Sequence, residues 1–372
     1  MLSNYLLTHI KQTDADFVNE NKSRCLIPEY DPQKHYLHLT NSKYYRALLS
    51  LRDLVSSACD DFFNHKHNAK KIDLFMLTPS VSSPMGPGSD STAIPIKLGN
   101  INCFLTDSSQ FGFEPLLLNG IDLVYCYLPS MRGEDWDNRH LNQFFHCEAE
   151  IRAPLDTLFP IMEEYVRTLC CVLSQSPNII NLISSHPEIT RKTLNKIIAT
   201  TNFPRILFDE AVGILEKTGD QHYVNFTEHG RDISAQGELE LMRILAIKTP
   251  LWITNYDRDR VPFYQKPDPN QPDKVINADL LFPALTDVSF GGEVLGCGQR
   301  QDRPDEIIES LSRQNLSIEP YEWYINLRRQ PGYQTTSGFG LGIERFLAWA
   351  LCRSSIRDVI IYPRLKNIVT YP

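Results

Sequence analysis

Apolar positions change their period several times along the chain, and each change predicts a different element. From Asn41 onward, Tyr45, Leu48, Leu51, Val55, Cys59 and Phe62 recur at helical spacing, with Asn41 or Ser42 available as the cap. An ordinary amphipathic helix is predicted there. A strand over Ile72 to Leu77 follows and stops at Thr78-Pro79. Pro84, Gly86, Pro87 and Gly88 exclude regular structure between Ser80 and Ser91, so that stretch is a loop. Strands are predicted at Ile101 to Thr106 and Ile121 to Leu128, the second leading into Arg132, with Phe144 to Ile151 as its antiparallel return. From Leu155 to about Lys217 the pattern is helical, marked by Leu158, Met162, Tyr165, Val166 and Leu169. Strands return at Trp252 to Thr254, Ala278 to Phe282, Gly292 to Gly296 and Trp323 to Leu327, ahead of a final glycine-rich strand and helix. Residues 1–40 are mixed and polar, an extension packed on the core or partly mobile. The sum is an α+β chain, a mainly antiparallel sheet flanked by helices.

That last strand and helix carry the strongest chemical signal. In Ser337-Gly338-Phe339-Gly340-Leu341-Gly342-Ile343-Glu344-Arg345-Phe346 glycine stands at every second position, and an arginine lies just inside the helix. Alternating glycines let a backbone lie against a planar ligand, and a helix start with an arginine suits a nucleotide triphosphate. They equally mark tight packing of a strand on a helix. Upstream, Arg132-x-Glu134 precedes Arg139-His140, and Phe144 to Glu150 sets an aromatic ring and two carboxylates, Glu148 and Glu150, on one face of a strand. A nicotinamide-binding reading of the glycines fits poorly, because no helix then returns to a parallel strand.

Composition narrows the field. The 372 residues are 42% hydrophobic, enough for one large domain or a domain with an insertion. With 37 basic against 45 acidic residues the net charge is −8, so no whole-molecule positive field draws in a polyanion, which lowers the odds of a nucleic acid as a partner. Nine cysteines, scattered and without C-x-x-C spacing, argue against a zinc ribbon or a disulfide scaffold and for reduced thiols. No apolar run approaches the ~20 residues of a membrane span, and the start is too short in apolar residues for a signal peptide. A soluble, cytoplasmic protein is expected.

The blocks around Arg132 and Arg345 resemble motifs 2 and 3 of the class II aminoacyl-tRNA synthetases, above all the asparaginyl and aspartyl subgroup. Gly338 to Phe346, then Ile356-Arg357-Asp358-Val359-Ile360 and Tyr362-Pro363-Arg364, are similar to the asparaginyl form, as is the segment from Glu148 to Glu150. The resemblance runs from about residue 40 to the C-terminus, implying a class II synthetase-like catalytic domain over 41–372, with a helical insertion at about 155–217, behind an N-terminal extension of residues 1–40. The helix, strand and proline ending at Pro79 resemble motif 1, which implies a homodimer. Members that charge tRNA usually carry an N-terminal anticodon-binding barrel, so the chain resembles a core without that reader.

The resemblance also assigns roles, with ATP and Mg2+ as cofactors. Arg132 would grip the α-phosphate and the substrate carboxylate, a task for its permanent forked charge; the bland alternative is a surface ion pair with Glu134. Arg345 would hold the γ-phosphate, Gly340 and Gly342 would line the nucleotide site, and Phe144 would stack on adenine unless it is core. His140 falls where a loop histidine contacts the phosphates, or it is merely exposed. Glu293, in Gly291-Gly292-Glu293-Val294-Leu295-Gly296-Cys297-Gly298-Gln299-Arg300, matches a glutamate that binds Mg2+ with the ATP phosphates, and Asp279, Glu148 and Glu150 are further acidic candidates, with pairing to buried arginines as the alternative for each. For the amino acid, Gln110 matches a substrate-touching glutamine, Glu148 a second substrate residue, and Trp323 to Arg329 is similar to W-Y-L-D-L-R-R, where Arg329 is the candidate for the side-chain carbonyl and Arg328 its structural neighbour. Aspartyl enzymes place a lysine where Phe113 stands, so a neutral amide such as asparagine is favoured over aspartate.

Several positions depart from the pattern. Pro87 stands where the family's glutamate holds the substrate amine, with Asp90 as a nearby substitute; Gln143 replaces a glutamate, and Thr335-Thr336 replaces Pro-His. The expected activity is formation of an aminoacyl-adenylate and its transfer to a non-tRNA or small nucleophilic acceptor. The alternatives are an asparagine-tRNA ligase gripping the acceptor stem alone, an asparagine synthetase using aspartate and ammonia, and a non-catalytic regulatory paralogue.

Overall fold

Eight strands form the central sheet, and their alternation explains how one face came to be a core and the other a site. They are β1 (Lys70–Lys71), β2 (Leu123–Met131), β3 (Gln143–Ile151), β4 (Arg205–Leu207), β5 (Leu251–Thr254), β6 (Asn277–Phe282), β7 (Gly292–Gln299) and β8 (Ser337–Gly342), in the order β1-β2-β3-β8-β7-β6-β5-β4. The edge pairs β1/β2 and β4/β5 are parallel and the rest antiparallel. These relations are those of a computed structural model, which describes residues 2–20, 23–73 and 75–372.

In β3, Cys147 and Ala149 enter the apolar core, while His146, Glu148 and Glu150 take the opposite face. β8 does the same with Phe339 and Leu341 inward and glycines outward. The register sets Gly338, Gly340 and Gly342 opposite Glu150, Glu148 and His146. Bare glycine Cα atoms beside polar side chains leave a trough above the sheet. Beneath it, α2 (Lys43–Asp60), α3 (Leu155–Ser174) and α4 (Ile343–Ala350) cover the apolar face, burying Leu48, Leu51, Met162, Val166, Phe346 and Trp349.

Polar ties lock this core. Arg52 of α2 pairs with Glu344 of α4 at 2.7 Å, both nearly buried, and Glu344 also accepts the backbone N–H of Phe145 at 2.8 Å. Stripping one partner from such a pair leaves a buried charge, a loss of about 3–5 kcal/mol. At the N-terminus, α1 (Asn4–Ala15), capped by the Ser3 hydroxyl, buries Leu6 and Ile10 in the same core. Its Asp14 accepts the backbone N–H groups of Asn178 and Ile179, at the start of the helix Pro177–Ile183.

Three sequence expectations fall differently. Trp323 to Leu327, read as a strand from its aromatic content, lies in the helix Glu322–Leu327, where Tyr324, Ile325 and Arg328 share one buried face at helical spacing. The helix expected from Asn41 starts at Lys43, because Asn41 closes the short helix His35–Asn41 before it. Of the strand expected over Ile72 to Leu77, pairing is seen at Lys70–Lys71 and Leu77–Thr78, and Leu74 lies outside the described residues.

Candidate active site

Two adjoining cavities, of about 130 and 330 Å3, open on the glycine face of the sheet and share Arg132, His146, Glu293 and Gly340 as their common wall. The smaller is lined by Glu134, Arg139, His140, Phe144, Gly342 and Arg345. The larger holds Gln110, Phe113, Glu148, Asp279, Gln265 and Arg300. A site with two chambers and a shared cationic wall can bring two substrates to one reacting centre.

Arg132 leaves the end of β2 and lays its guanidinium over the Phe144 ring, 5.3 Å from the centroid. Its buried Nε has no hydrogen-bond partner, and among the described residues no carboxylate lies within 4 Å of it. The ion pair with Glu134 is therefore not formed; Glu134 instead accepts the backbone N–H of Thr92 at 3.2 Å. Asn142 steadies the loop by donating to the carbonyls of Arg132 and Glu134, at 2.8 and 2.7 Å.

Arg345, in the first turn of α4, donates to Glu293 at 2.8 Å and approaches His140 Nε2 at 3.4 Å. Asp137 holds the other side of that imidazole at 3.0 Å, so His140 is oriented toward the arginine rather than merely exposed. Arg139 is anchored as well, donating to Glu238 at 2.8 Å and to the Gly291 carbonyl at 2.7 Å. Glu238 was not foreseen from the sequence. It stands in a helix of the segment after β4, far from any recognised block, and only the fold brings it here.

A bulge in the β6/β7 pairing, between Leu280 and Leu281, lets Glu293 and Gly296 share a face although three positions separate them. A Cβ on Gly296 would sit 3.2 Å from Asp279 Oδ1 and 3.5 Å from Glu293 Oε1, so the two carboxylates flank that glycine. Burial pushes the Glu293 carboxyl up, but Arg345, with help from Arg139 and Arg132, holds it below the usual range. Asp279 is driven well above its ordinary value by burial and then by the Glu293 charge. A divalent cation would relieve that repulsion. Among the described residues no cluster of three or more His, Cys, Asp or Glu side chains is built to hold a metal by itself. Magnesium bound by one or two carboxylates and substrate phosphates does not need one.

In the larger chamber, Gln110 begins the helix Gln110–Leu118, is 6% exposed, and presents an Nε2 with no partner. Glu148 accepts from Ser108 Oγ at 2.6 Å and the Ser109 N–H at 2.7 Å, and His146 Nδ1 stands 3.4 Å away. Those donors keep its carboxyl below the usual range against the opposing effect of burial, and they fix the turn that aims Gln110. The loop around Pro87 is tied down by Arg260, which donates to the Pro87 carbonyl at 2.8 Å and stands 3.7 Å from Asp232 and 3.8 Å from an exposed Asp90.

Arg329 does not reach either chamber. It is exposed and donates to Asn326 Oδ1 at 2.7 Å. Arg328 is the buried member, paired with Glu114 at 2.6 Å and donating to the Gln301 carbonyl at 2.8 Å. The resemblance alone does not choose between two adjacent arginines; on this helical turn they point about 100° apart, and Arg328 is the one that faces the interior. Arg300 is the arginine the sequence reasoning passed over: it lines the larger chamber beside Glu150, 3.2 Å away, in the very strand whose Glu293 was singled out.

The fold and this pair of chambers define a class II synthetase catalytic core. The family model described as tRNA synthetases class II (D, K and N) matches residues 28–366, and the chain belongs to that family. It is similar to the asparagine–tRNA ligase of Thermococcus gammatolerans, 29% identical over 342 residues covering 91% of this chain and 74% of that protein, and to that of Pyrococcus abyssi, 32% identical, covering 91% and 72%. Among solved structures, the asparaginyl-tRNA synthetase of Pyrococcus horikoshii complexed with asparaginyl-adenylate superposes with a TM-score of 0.80 at 28% identity, covering 93% of this chain and 74% of that one.

Proposed function

We propose that the chain activates an amino acid with ATP as an aminoacyl-adenylate, and that asparagine is that acid. The observation that carries this is Arg132: a guanidinium with no carboxylate within 4 Å among the described residues, on the wall between two chambers, stacked on the ring that would lie beneath adenine. An unpaired cation there is poised for an α-phosphate and a carboxylate meeting at one point. Arg345 and His140 would take the terminal phosphates, and Gly340 and Gly342 leave room for the nucleotide beside Phe144. Mg2+ would be held by Glu293 with Asp279, supplying positive charge to the phosphate oxygens. Gln110 and Glu148 would orient the amino acid, and Phe113, buried and without charge, is a poor neighbour for a second carboxylate.

Two acceptors are supported by different observations. Likeness to asparagine–tRNA ligases favours the acceptor end of tRNA. A net charge of −8 and Pro87 at the amine-binding position favour a small nucleophile. A homodimer through α2 is part of the proposal; Leu49 on that helix is exposed, as are Leu98 and Ile101 in the antiparallel strands Pro95–Leu98 and Ile101–Leu105. Pyrophosphate exchange into ATP with each of the twenty amino acids, with and without bulk tRNA, tests the reading. Exchange with asparagine is expected, and exchange with none would overturn it.

A further inference from the structure

Under the larger chamber two glycines face each other across strands, Gly298 of β7 and Gly338 of β8, and the second lines the chamber. Neither position can carry a side chain. A Cβ on Gly298 would collide with the Gln265 carboxamide, and one on Gly338 with the Arg300 guanidinium. Cross-strand partners on one face lie about 5 Å apart, so that carboxamide and that guanidinium sit side by side over the glycine pair. Both line the chamber. Gln265 is held from behind, its backbone bridged to Arg300 and its N–H donating to the Pro262 carbonyl at 3.0 Å. Its Oε1 is buried and, among the described residues, has no hydrogen-bond partner.

A buried acceptor without a donor calls for an N–H from whatever enters the chamber. The charges around it say which kind. Arg300 already shares its charge with Glu150, which is fully buried, donating through Nε and Nη2 at 3.3 and 3.2 Å. Phe113, on the same wall, adds no cation. A carboxylate side chain would compete with Glu150 for that guanidinium and would leave Gln265 Oε1 facing another acceptor. A carboxamide carries a donor and an acceptor together, one for Gln265 and one for Arg300.

We propose that Gln265 is a specificity-determining residue of this site, accepting a hydrogen bond from the terminal carboxamide of the amino-acid substrate and so selecting a side-chain amide over the matching carboxylate. This rests on the reading that the larger chamber receives the amino acid. The residue belongs to no block that the sequence singled out, and it acts as a filter of donors: removing the acceptor costs the amide its advantage and leaves ATP handling untouched.

The test compares asparagine with aspartate in the wild-type chain and in Gln265→Leu and Gln265→Lys, by pyrophosphate exchange and by calorimetric binding in the presence of a non-hydrolysable ATP analogue. Gln265→Leu is expected to lower kcat/KM for asparagine roughly 100-fold, with KM for ATP and the melting temperature little changed, so that the asparagine-to-aspartate ratio collapses. Gln265→Lys, which places a cation over Gly298, is expected to turn the preference toward aspartate. A Gln265→Leu protein that is folded and keeps the wild-type ratio overturns the proposal, as does a wild-type protein that binds neither acid. If the wild-type protein binds asparagine without exchanging pyrophosphate, and Gln265→Leu loses that binding, the subsite stands while the activation reading falls.

Discussion

The two chambers differ in how their charges are settled. Around the nucleotide side the cations are held in advance: Arg345 on Glu293, Arg139 on Glu238, and His140 on Asp137, each within hydrogen-bond distance. On the amino-acid side the polar atoms are left open, with Gln110 Nε2 and Gln265 Oε1 both buried and unpartnered and Arg260 contributing an equally unpartnered Nε. A site for polyphosphate gains from rigid, pre-aimed charge, because the charge it must meet is large and always the same. A site that chooses among similar amino acids gains from unpaired groups that only the right substrate completes.

If that contrast is right, the largest loss comes at the shared wall. Arg132→Ala and Arg345→Ala should each lower exchange by at least about 10²–10³-fold, the scale of removing one pre-aimed cation from a reacting centre. An Arg345→Ala enzyme with undiminished exchange would refute the role given to that residue. Next in size is a loss of stability beneath the smaller chamber: Glu344→Ala strands Arg52 in the core and should cost about 3–5 kcal/mol in denaturant unfolding. Gln110→Ala should act on one chamber alone, raising KM for the amino acid about 10-fold, the scale of one hydrogen bond, with KM for ATP unchanged. Equal effects on both substrates would erase the distinction between the chambers.

Glu150 offers a pH test of the amino-acid side. Burial lifts its carboxyl from 4.5 to about 7, with Arg300 opposing the shift. A folded value above the unfolded one means the native state binds the extra proton. This contribution is whole below pH 4.5 and is lost as pH rises toward 7. Thermal melts of Glu150→Gln should show a shallower fall in Tm between pH 4.5 and 7 than the parent. The smallest effect belongs to Arg329→Ala: an exposed side chain outside both chambers should leave exchange unchanged and stability within about 0.5 kcal/mol.

The legibility of the site follows the same division. Glu134, His140, Phe144, Glu293, Gly340, Gly342 and the two arginines lie in blocks whose spacing is set by adjacent strands and one helix start, and all of them line the smaller chamber. Arg260, Gln265 and Glu238 come from loops and a helix whose sequence has no period or motif, and they went unseen. Arg329 was preferred over Arg328 on resemblance alone, and which of two adjacent arginines turns inward depends on the packing of the helix that carries them.

From its residues alone, this chain was committed to alternating strands, to a glycine face on β8, and to the cations that flank it, because period and side-chain chemistry are local properties. The fold supplied what spacing cannot: the bulge that turns Glu293 and Gly296 to one side, the choice of Arg328 over Arg329 for burial, and the meeting of Gln265 with Gly298 across 33 positions. Those depend on which surfaces touch, and contact between distant segments is written in no single stretch of sequence.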